Sequence, residues 1–322
     1  MKHLAAITLL GLVTFVVPGK AAILVHDGFA SGGATPASDQ YRTTGDYRQI
    51  AIAYRDFNNP TTDNGGQNPT TLGFQNPWTT AQFTSSGVYL RAQATSLTYT
   101  SADSISLITT AGSASLFRNG VSGAPDAKTY SRDISVTGAL PSTLYFSVLV
   151  SFDANQPILF QTQTLGSSVK PHFGFGIDTN GLGFVSTSTT IGTAGTVTNT
   201  ASALATNTTH LLVLKVEQTS NAVVDTLTLY VNPQLGSEGL NTAAASFTGD
   251  FFVAQNAAFE LSSLFVTGTP NGSATAPTTR GVTFDEFRIS TSWNDIATAV
   301  PEPTRAALFA LGLSLCLVRR RP

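Results

Sequence analysis

The segment Thr143–Phe152, with the sequence TLYFSVLVSF, decides the fold class of this chain. Side chains alternate between the two faces of an extended strand, so every second residue shares a face. One face is wholly apolar, and its residues are Leu144, Phe146, Val148, Val150 and Phe152. Burying such side chains contributes roughly 1.5–3 kcal/mol each before entropy is subtracted. We therefore predict a strand at the centre of a sheet.

Further strand signals follow at regular spacing. Residues 172–178 and 182–185 flank Thr179-Asn180-Gly181, and an Asn-Gly pair is the strongest short hairpin signal. A second hairpin is predicted between residues 211–218 and 225–231. The intervening residues 186–209 are rich in Thr, Ala and Ser, and we expect them to be exposed. Additional strands are predicted at residues 88–92, 129–136 and 282–290.

The N-terminus has the pattern of a secretory signal peptide. Lys2 and His3 precede an apolar run over residues 4–17, and small residues follow. Cleavage is expected after Ala21 or Ala22 by the general secretion machinery. We therefore predict that the protein is exported.

The C-terminus contains three pieces in a fixed order. Pro301-Glu302-Pro303 prevents a helix from starting before Thr304, because proline fixes φ and lacks a backbone donor. Residues 306–318 are apolar or small apart from Ser314, and as a helix they would extend about 20 Å against a hydrocarbon core of about 30 Å. Arg319, Arg320 and Arg321 complete the tail and favour the cytoplasmic side.

This arrangement resembles the PEP-CTERM sorting signal of Gram-negative bacteria. The resemblance implies a transmembrane sorting helix that holds the exported protein transiently in the inner membrane. An exosortase then cuts near Pro301-Glu302-Pro303 and releases the product to the cell surface or the exopolysaccharide matrix. An ordinary tail anchor is the alternative, but it needs no Pro-Glu-Pro and usually has a longer apolar run.

Removing both ends changes the charge of the chain. Six of the seventeen Lys and Arg residues are lost, and all nineteen Asp and Glu residues stay if the cut leaves Glu302 on the product, so the net charge is then near 11 − 19 = −8. No basic patch remains to hold nucleic acid or anionic lipid, which argues against both as partners. The single cysteine, Cys316, leaves with the tail, which excludes disulfides, a thiol nucleophile and cysteine-based zinc sites from the product. No cofactor is expected.

A second resemblance covers most of residues 23–296. Asp27-Gly28-Phe29, a glycine-rich loop that ends at Trp78, residues 212–233 and residues 284–290 are similar to segments of laminin-G-like, concanavalin-A-like domains. The resemblance implies an all-β fold, a two-sheet antiparallel jelly-roll sandwich of about a dozen strands. We divide the chain into a signal peptide (1–22), this sandwich domain (23–297) and the sorting signal (298–322). Trp78 is interpreted as a core plug in preference to a sugar-stacking residue.

The sequence contains no recognisable catalytic cluster. Glucanases on this fold place paired carboxylates on one strand face, whereas strict alternation puts Asp285 and Glu286 on opposite faces. His26, His172 and His210 are isolated and are predicted at the surface or at strand edges. Calcium ligands are conceivable at Asp178 with Asn180, or at Asp63 with Asn64, but both pairs are interpreted as turn residues. No metal or catalytic residue is therefore assigned, and the ligand is left open.

Asp285 departs from the strand pattern. Alternation places it on the face of Phe287 and Ile289, where a buried carboxylate must be hydrogen-bonded or paired. We predict a structural hydrogen bond to loop amides near the N-terminal strand.

Two functions from different classes remain. The first is a non-enzymatic surface or matrix protein that binds or associates with exopolysaccharide, with Tyr89 and Tyr230 as exposed aromatic candidates. The second is a secreted glycoside-acting enzyme whose site is not recognisable in the sequence.

Overall fold

The computed structural model describes residues 23–29, 71–72, 74–80, 88–93, 95–110, 112–118, 128–134, 136, 140–153, 156–164, 172–218, 225–249, 261–268 and 281–297. The predicted signal peptide, the predicted sorting signal and the Asp63–Asn64 pair lie outside these residues.

Two antiparallel sheets contain all sixteen strands of the described residues, which confirms the predicted two-sheet sandwich. The first sheet contains β1 Ile23–Asp27, β2 Thr71–Leu72, β4 Val88–Gln93, β5 Ser113–Arg118, β7 Thr143–Phe152, β12 His210–Glu217, β13 Asp225–Val231, β14 Ala245–Gly249 and β16 Gly281–Ser290. The second contains β3 Phe74–Thr80, β6 Lys128–Ile134, β8 Ile158–Thr164, β9 His172–Ile177, β10 Leu182–Ser188, β11 Thr196–Ala203 and β15 Leu261–Gly268. Two short 3-10 helices, Glu238–Leu240 and Trp293–Asp295, are the helices in this part of the chain.

Strand β7 lies in the middle of the first sheet, between β12 and β16, as predicted. Its five apolar alternate residues all belong to the core between the sheets. Phe146 meets Phe173 of the second sheet edge to face, with ring centroids 5.4 Å apart. The opposite face of β7 is also buried, because Tyr145 and Leu149 belong to a second apolar cluster.

Both predicted hairpins are confirmed. Gly181 has a φ of 77°, and the hairpin that it closes pairs Gly183 of β10 with Ile177 of β9. The second hairpin pairs Leu212 of β12 with Val231 of β13.

Residues 186–209 contain strand β11, most of whose residues are exposed, as predicted. One local prediction needs correction. Trp78 lies within strand β3 and not at the end of a loop. The Trp78 side chain is outside the described residues, so its core-plug role stays a prediction.

Three segments cover the outer face of the first sheet: residues 95–110, 233–241 and 291–297, named here the covering segments. Trp293 packs edge to face on Tyr145 and Tyr230, and its Nε1 donates to the carbonyl of Leu235 over 3.2 Å. The Tyr99 hydroxyl donates to the carbonyl of Pro233 over 2.9 Å. The middle of the first sheet, at β7, β12 and β13, is therefore buried on both faces.

Candidate functional site

The ionisable side chains of the described core concentrate where β16 exchanges one neighbour for another. Its first half pairs with β5 and its second half with β1. Against β7 the register skips, because Asp285 lies opposite Leu149 while Arg288 lies opposite Ser147. Glu286 within this bulge has a φ of 52°, a left-handed conformation that is uncommon for a residue other than glycine. We call this region the β16 junction.

The bulge changes which side chains share a face. Phe284 and Phe287 both enter the core, although strict alternation would separate residues three apart. The prediction that Asp285 shares the face of Phe287 was therefore wrong. The prediction that Asp285 and Glu286 point to opposite faces was also wrong, since both carboxylates accept backbone amides of segment 95–110.

Asp285 is fully buried and bonded at both oxygens. Oδ2 accepts the backbone N–H of Leu97 over 2.9 Å, and Oδ1 accepts the N–H of Glu286 over 2.8 Å. The predicted hydrogen bond from a loop amide is thus present. Burial, reinforced by the nearby charge of Glu286, raises the pKa of Asp285 to about 9.

Glu286 is surrounded by donors. Its Oε2 accepts His26 Nε2 over 2.7 Å and Arg288 Nη2 over 2.8 Å. Its Oε1 accepts the Thr110 hydroxyl over 2.8 Å and also the Thr110 backbone N–H. Burial by itself would raise the pKa of Glu286, but the bond from His26 and the positive charge of Arg288 outweigh it and lower the pKa to about 2.

Arg288 connects three parts of the chain. Besides Glu286, its guanidinium donates to the carbonyl of Ile296 over 2.6 Å and to the carbonyl of Ile108. Both carbonyls belong to covering segments, so one side chain fixes two of these segments to β16.

A second ion pair joins the two sheets at the same place. Arg132 of β6 donates to Asp27 Oδ2 over 2.5 Å, and Asp27 Oδ1 accepts the N–H of Phe29 over 2.9 Å. The Arg132 guanidinium also lies 4.4 Å from the ring centroid of Phe74. Asp27 is 0% exposed and Arg132 3%, so the pair is desolvated and each charge depends on the other.

The chemistry of the junction is limited by its burial. Adjacent carboxylates with pKa values pushed far apart are typical of acid–base pairs. Here, however, Asp285 and Glu286 are both 0% exposed, and their oxygens accept protein donors. In this arrangement the carboxylates satisfy backbone amides and arginine and cannot contact a polymeric substrate.

A separate polar cluster lies on the outer side of the first sheet. Glu238 accepts the Tyr145 hydroxyl over 2.7 Å and the Tyr230 hydroxyl over 3.0 Å, and it pairs with Lys215 over 2.8 Å. Burial, reinforced by the hydrogen bond to Glu238, raises the pKa of Tyr230 to about 12. The prediction that Tyr230 is exposed was wrong, because Trp293 packs against its ring. The side chain of Tyr89, on β4, is outside the described residues.

His26, His172 and His210 are buried, which corrects the prediction of surface or strand-edge positions. His26 lies within the β16 junction. His210 is fixed by the Ala205 carbonyl over 2.8 Å and by the Asn232 side chain over 2.9 Å. Burial lowers the pKa of His172.

The described residues contain no group of three or more His, Cys, Asp or Glu that could hold a metal. Asp178 Oδ1 accepts the N–H groups of Asn180 and Leu182, each over 2.8 Å, which confirms that it is a turn residue.

The predicted processing residues lie outside the described part of the chain. They are Ala21, Ala22, Pro301, Glu302, Pro303, Arg319, Arg320 and Arg321. Within the described residues, none of the helices has the length and apolar character needed to cross a bilayer.

No family model and no curated protein matches this sequence. Among solved structures, a protein of unknown function from Shewanella oneidensis MR-1 is similar over 63% of this chain and 86% of its own, at 20% identity and a TM-score of 0.32. An alginate lyase from a Chlorella virus is similar over 64% and 93%, at 11% identity and a TM-score of 0.36. The lectin UEA-II, solved with galactose, is similar over 63% and 92%, at 11% identity and a TM-score of 0.30. Likeness at this level assigns neither a family nor a function.

Proposed function

We propose that this chain is an exported cell-surface or extracellular-matrix protein. Its C-terminal signal is sorted and cut by an exosortase after transient anchoring in the inner membrane. The released body is a concanavalin-A-like, laminin-G-like sandwich that does not catalyse a reaction and that associates with exopolysaccharide.

One observation carries this proposal. A secretory signal at residues 1–22 is combined with Pro301-Glu302-Pro303, an apolar run and Arg319-Arg320-Arg321, in that order, at the other end of the same chain. Each piece alone is common, but the ordered combination is typical of a removable sorting signal. This combination of signals indicates where the body is sent, and it does not identify the ligand.

The β16 junction supports a body without catalysis. Asp285 and Glu286 are the adjacent carboxylates that the sequence analysis considered as a catalytic pair. Both accept structural hydrogen bonds from protein donors. The glycoside-acting alternative has one observation in its favour, namely the separation of the pKa values of these two groups. That alternative requires segment 95–110 to leave the junction before any sugar could reach it.

Mass spectrometry of the protein from the surface fraction tests the sorting. We expect a chain that begins at residue 22 or 23 and ends near Pro301-Glu302-Pro303. A variant in which these three residues are alanines should remain in the membrane fraction with its arginines intact. A surface-fraction chain that retains Arg319 to Arg321 would contradict processing.

The association with polysaccharide has its own test. Processed protein is incubated with the purified exopolysaccharide of the producing cells and sedimented with it, while reducing ends are measured in parallel. We expect co-sedimentation without new reducing ends. Absence of co-sedimentation refutes the association, whereas new reducing ends that vanish in Glu286→Gln, while the circular dichroism spectrum stays that of the wild type, would establish the enzyme instead.

A further inference from the structure

Three exposed apolar side chains lie on two of the covering segments. Ile105 is 37% exposed and Ile108 52%, both on segment 95–110, and Leu240 on segment 233–241 is 61% exposed. The two segments are in contact, because Asp103 Oδ2 accepts the Gly236 N–H over 2.7 Å and a Cβ built on Gly236 would lie 3.4 Å from Ile105 Cδ1. We call these three residues the exit surface.

The name reflects where the chain leaves the sandwich. Arg288 donates to the carbonyls of Ile108 and Ile296 with the two Nη atoms of one guanidinium. The last described residues therefore lie beside Ile108. From Ala297 to Ala306, where the apolar run starts, the chain has nine further residues, which extend to about 30 Å at most.

The charge of residues near the exit surface limits the kind of surface that these side chains can bind. Asp103 lies two residues before Ile105 on segment 95–110 and is acidic, whereas the charge of Glu238 is paired with Lys215. An anionic surface would be repelled, whereas zwitterionic headgroups would not. The free energy falls when exposed Ile and Leu side chains enter the boundary between headgroups and acyl chains.

We propose that the exit surface rests on the lipid bilayer while the C-terminal tail is anchored. This inference relies on the proposed anchoring and adds the orientation of the body: the first sheet, through its covering segments, faces the membrane. A short tether raises the effective concentration of the exit surface at the bilayer, so three side chains suffice although they would bind weakly alone.

Site-specific fluorescence on the anchored protein tests this orientation. The full chain with Cys316→Ser receives one cysteine, as Ile108→Cys or Leu240→Cys, and an environment-sensitive fluorophore, and is purified from membranes into phosphatidylcholine vesicles. Val197→Cys on β11 of the other sheet is the matched control, because Val197 is an equally apolar residue that is 44% exposed. Labels at positions 108 and 240 should show a blue shift and quenching by spin-labelled lipid, and the label at 197 neither.

The possible outcomes separate this inference from the proposed anchoring. Vesicles that float with the protein while positions 108 and 240 stay unquenched would overturn the orientation and leave the anchoring intact. Protein that fails to float would refute the anchoring itself. A blue shift that appears without vesicles and grows with protein concentration would show self-association of the exit surface and would also overturn the proposal.

Discussion

Asp285 is held by two backbone donors. Oδ2 accepts the Leu97 N–H and Oδ1 the Glu286 N–H, and the side chain is 0% exposed. These bonds fit a carboxylate, although burial beside Glu286 raises its pKa to about 9. A protonated carboxyl can keep both bonds only if its proton occupies the second lone pair of one oxygen.

Replacing this side chain should destabilise the fold. Asp285→Ala leaves two buried N–H groups without acceptors, at a cost of about 1–3 kcal/mol each. We expect the melting temperature, measured by circular dichroism, to fall by several degrees. Glu217→Ala is the control, because the Glu217 side chain is 39% exposed and surface ion pairs contribute little. An unchanged melting curve for Asp285→Ala would contradict the structural role.

Glu286 makes stability depend on pH on the acid side. Its folded-state pKa of about 2 lies below the ordinary value of 4.5, so its contribution is complete above pH 4.5 and is lost as the pH falls toward 2. Glu286→Gln cannot titrate. The difference in melting temperature between wild type and Glu286→Gln should therefore shrink between pH 4.5 and pH 2, and a constant difference would be the contrary result.

At the scale of elements, the bulge in β16 lies between the part of β16 that pairs with β5 and the part that pairs with β1. One strand paired along the whole length of β16 would have supplied ladder hydrogen bonds at this point. Because β16 changes from β5 to β1 here, nearby loop N–H groups need other acceptors. Asp27, Asp285 and Glu286 accept these amides, from Phe29, Leu97 and Thr110 respectively. The charged cluster is thus the consequence of a strand exchange.

Covering segments 95–110 and 233–241 should exchange amide hydrogens as one unit. Asp103 accepts the N–H groups of Leu235 and Gly236 and so connects segments 95–110 and 233–241. We expect Asp103→Asn to speed exchange in both segments several-fold, while peptides from β7 stay protected. Exchange followed by mass spectrometry measures this effect.

Asp178→Asn is the matched control for that experiment. The same substitution in the β9–β10 turn should affect only residues near 178–182, because Asp178 bonds within its own turn. Equal acceleration of both covering segments in the control would show that the effect is global. No change in Asp103→Asn would show that the two segments are held independently.

At the scale of the whole molecule, we expect the net charge of the protein to decide which polysaccharide it binds more strongly. The processed body carries a net charge near 11 − 19 = −8 when Glu302 is retained. In affinity electrophoresis we expect a neutral glucan to retard the body more than alginate does, because like charges repel. The difference in retardation between the neutral glucan and alginate should decrease as the salt concentration is raised from about 0.01 M to 0.1 M, because the Debye length falls from about 30 Å to about 10 Å. Stronger retardation by alginate at low salt would contradict this view.

Much of the architecture could be predicted because it is encoded locally. The alternation in Thr143–Phe152 and the Asn180-Gly181 turn predict a central strand and a hairpin without any distant partner. The junction could not be predicted in this way. Its charged partners are far apart in sequence, and the bulge breaks the alternation that the prediction for Asp285 assumed.

The sequence by itself determined the class of fold, the positions of the main strands and the expectation of export, since periodicity, turn residues and terminal signals are properties of short segments. Only the tertiary structure decided that Tyr230 and the three histidines of the described residues are buried, and that His26, Glu286 and Arg288 form one network. The physical reason is that burial and charge pairing depend on which distant residues meet. His26 and Glu286 are 260 residues apart, and only the pairing of β1 with β16 brings them to 2.7 Å.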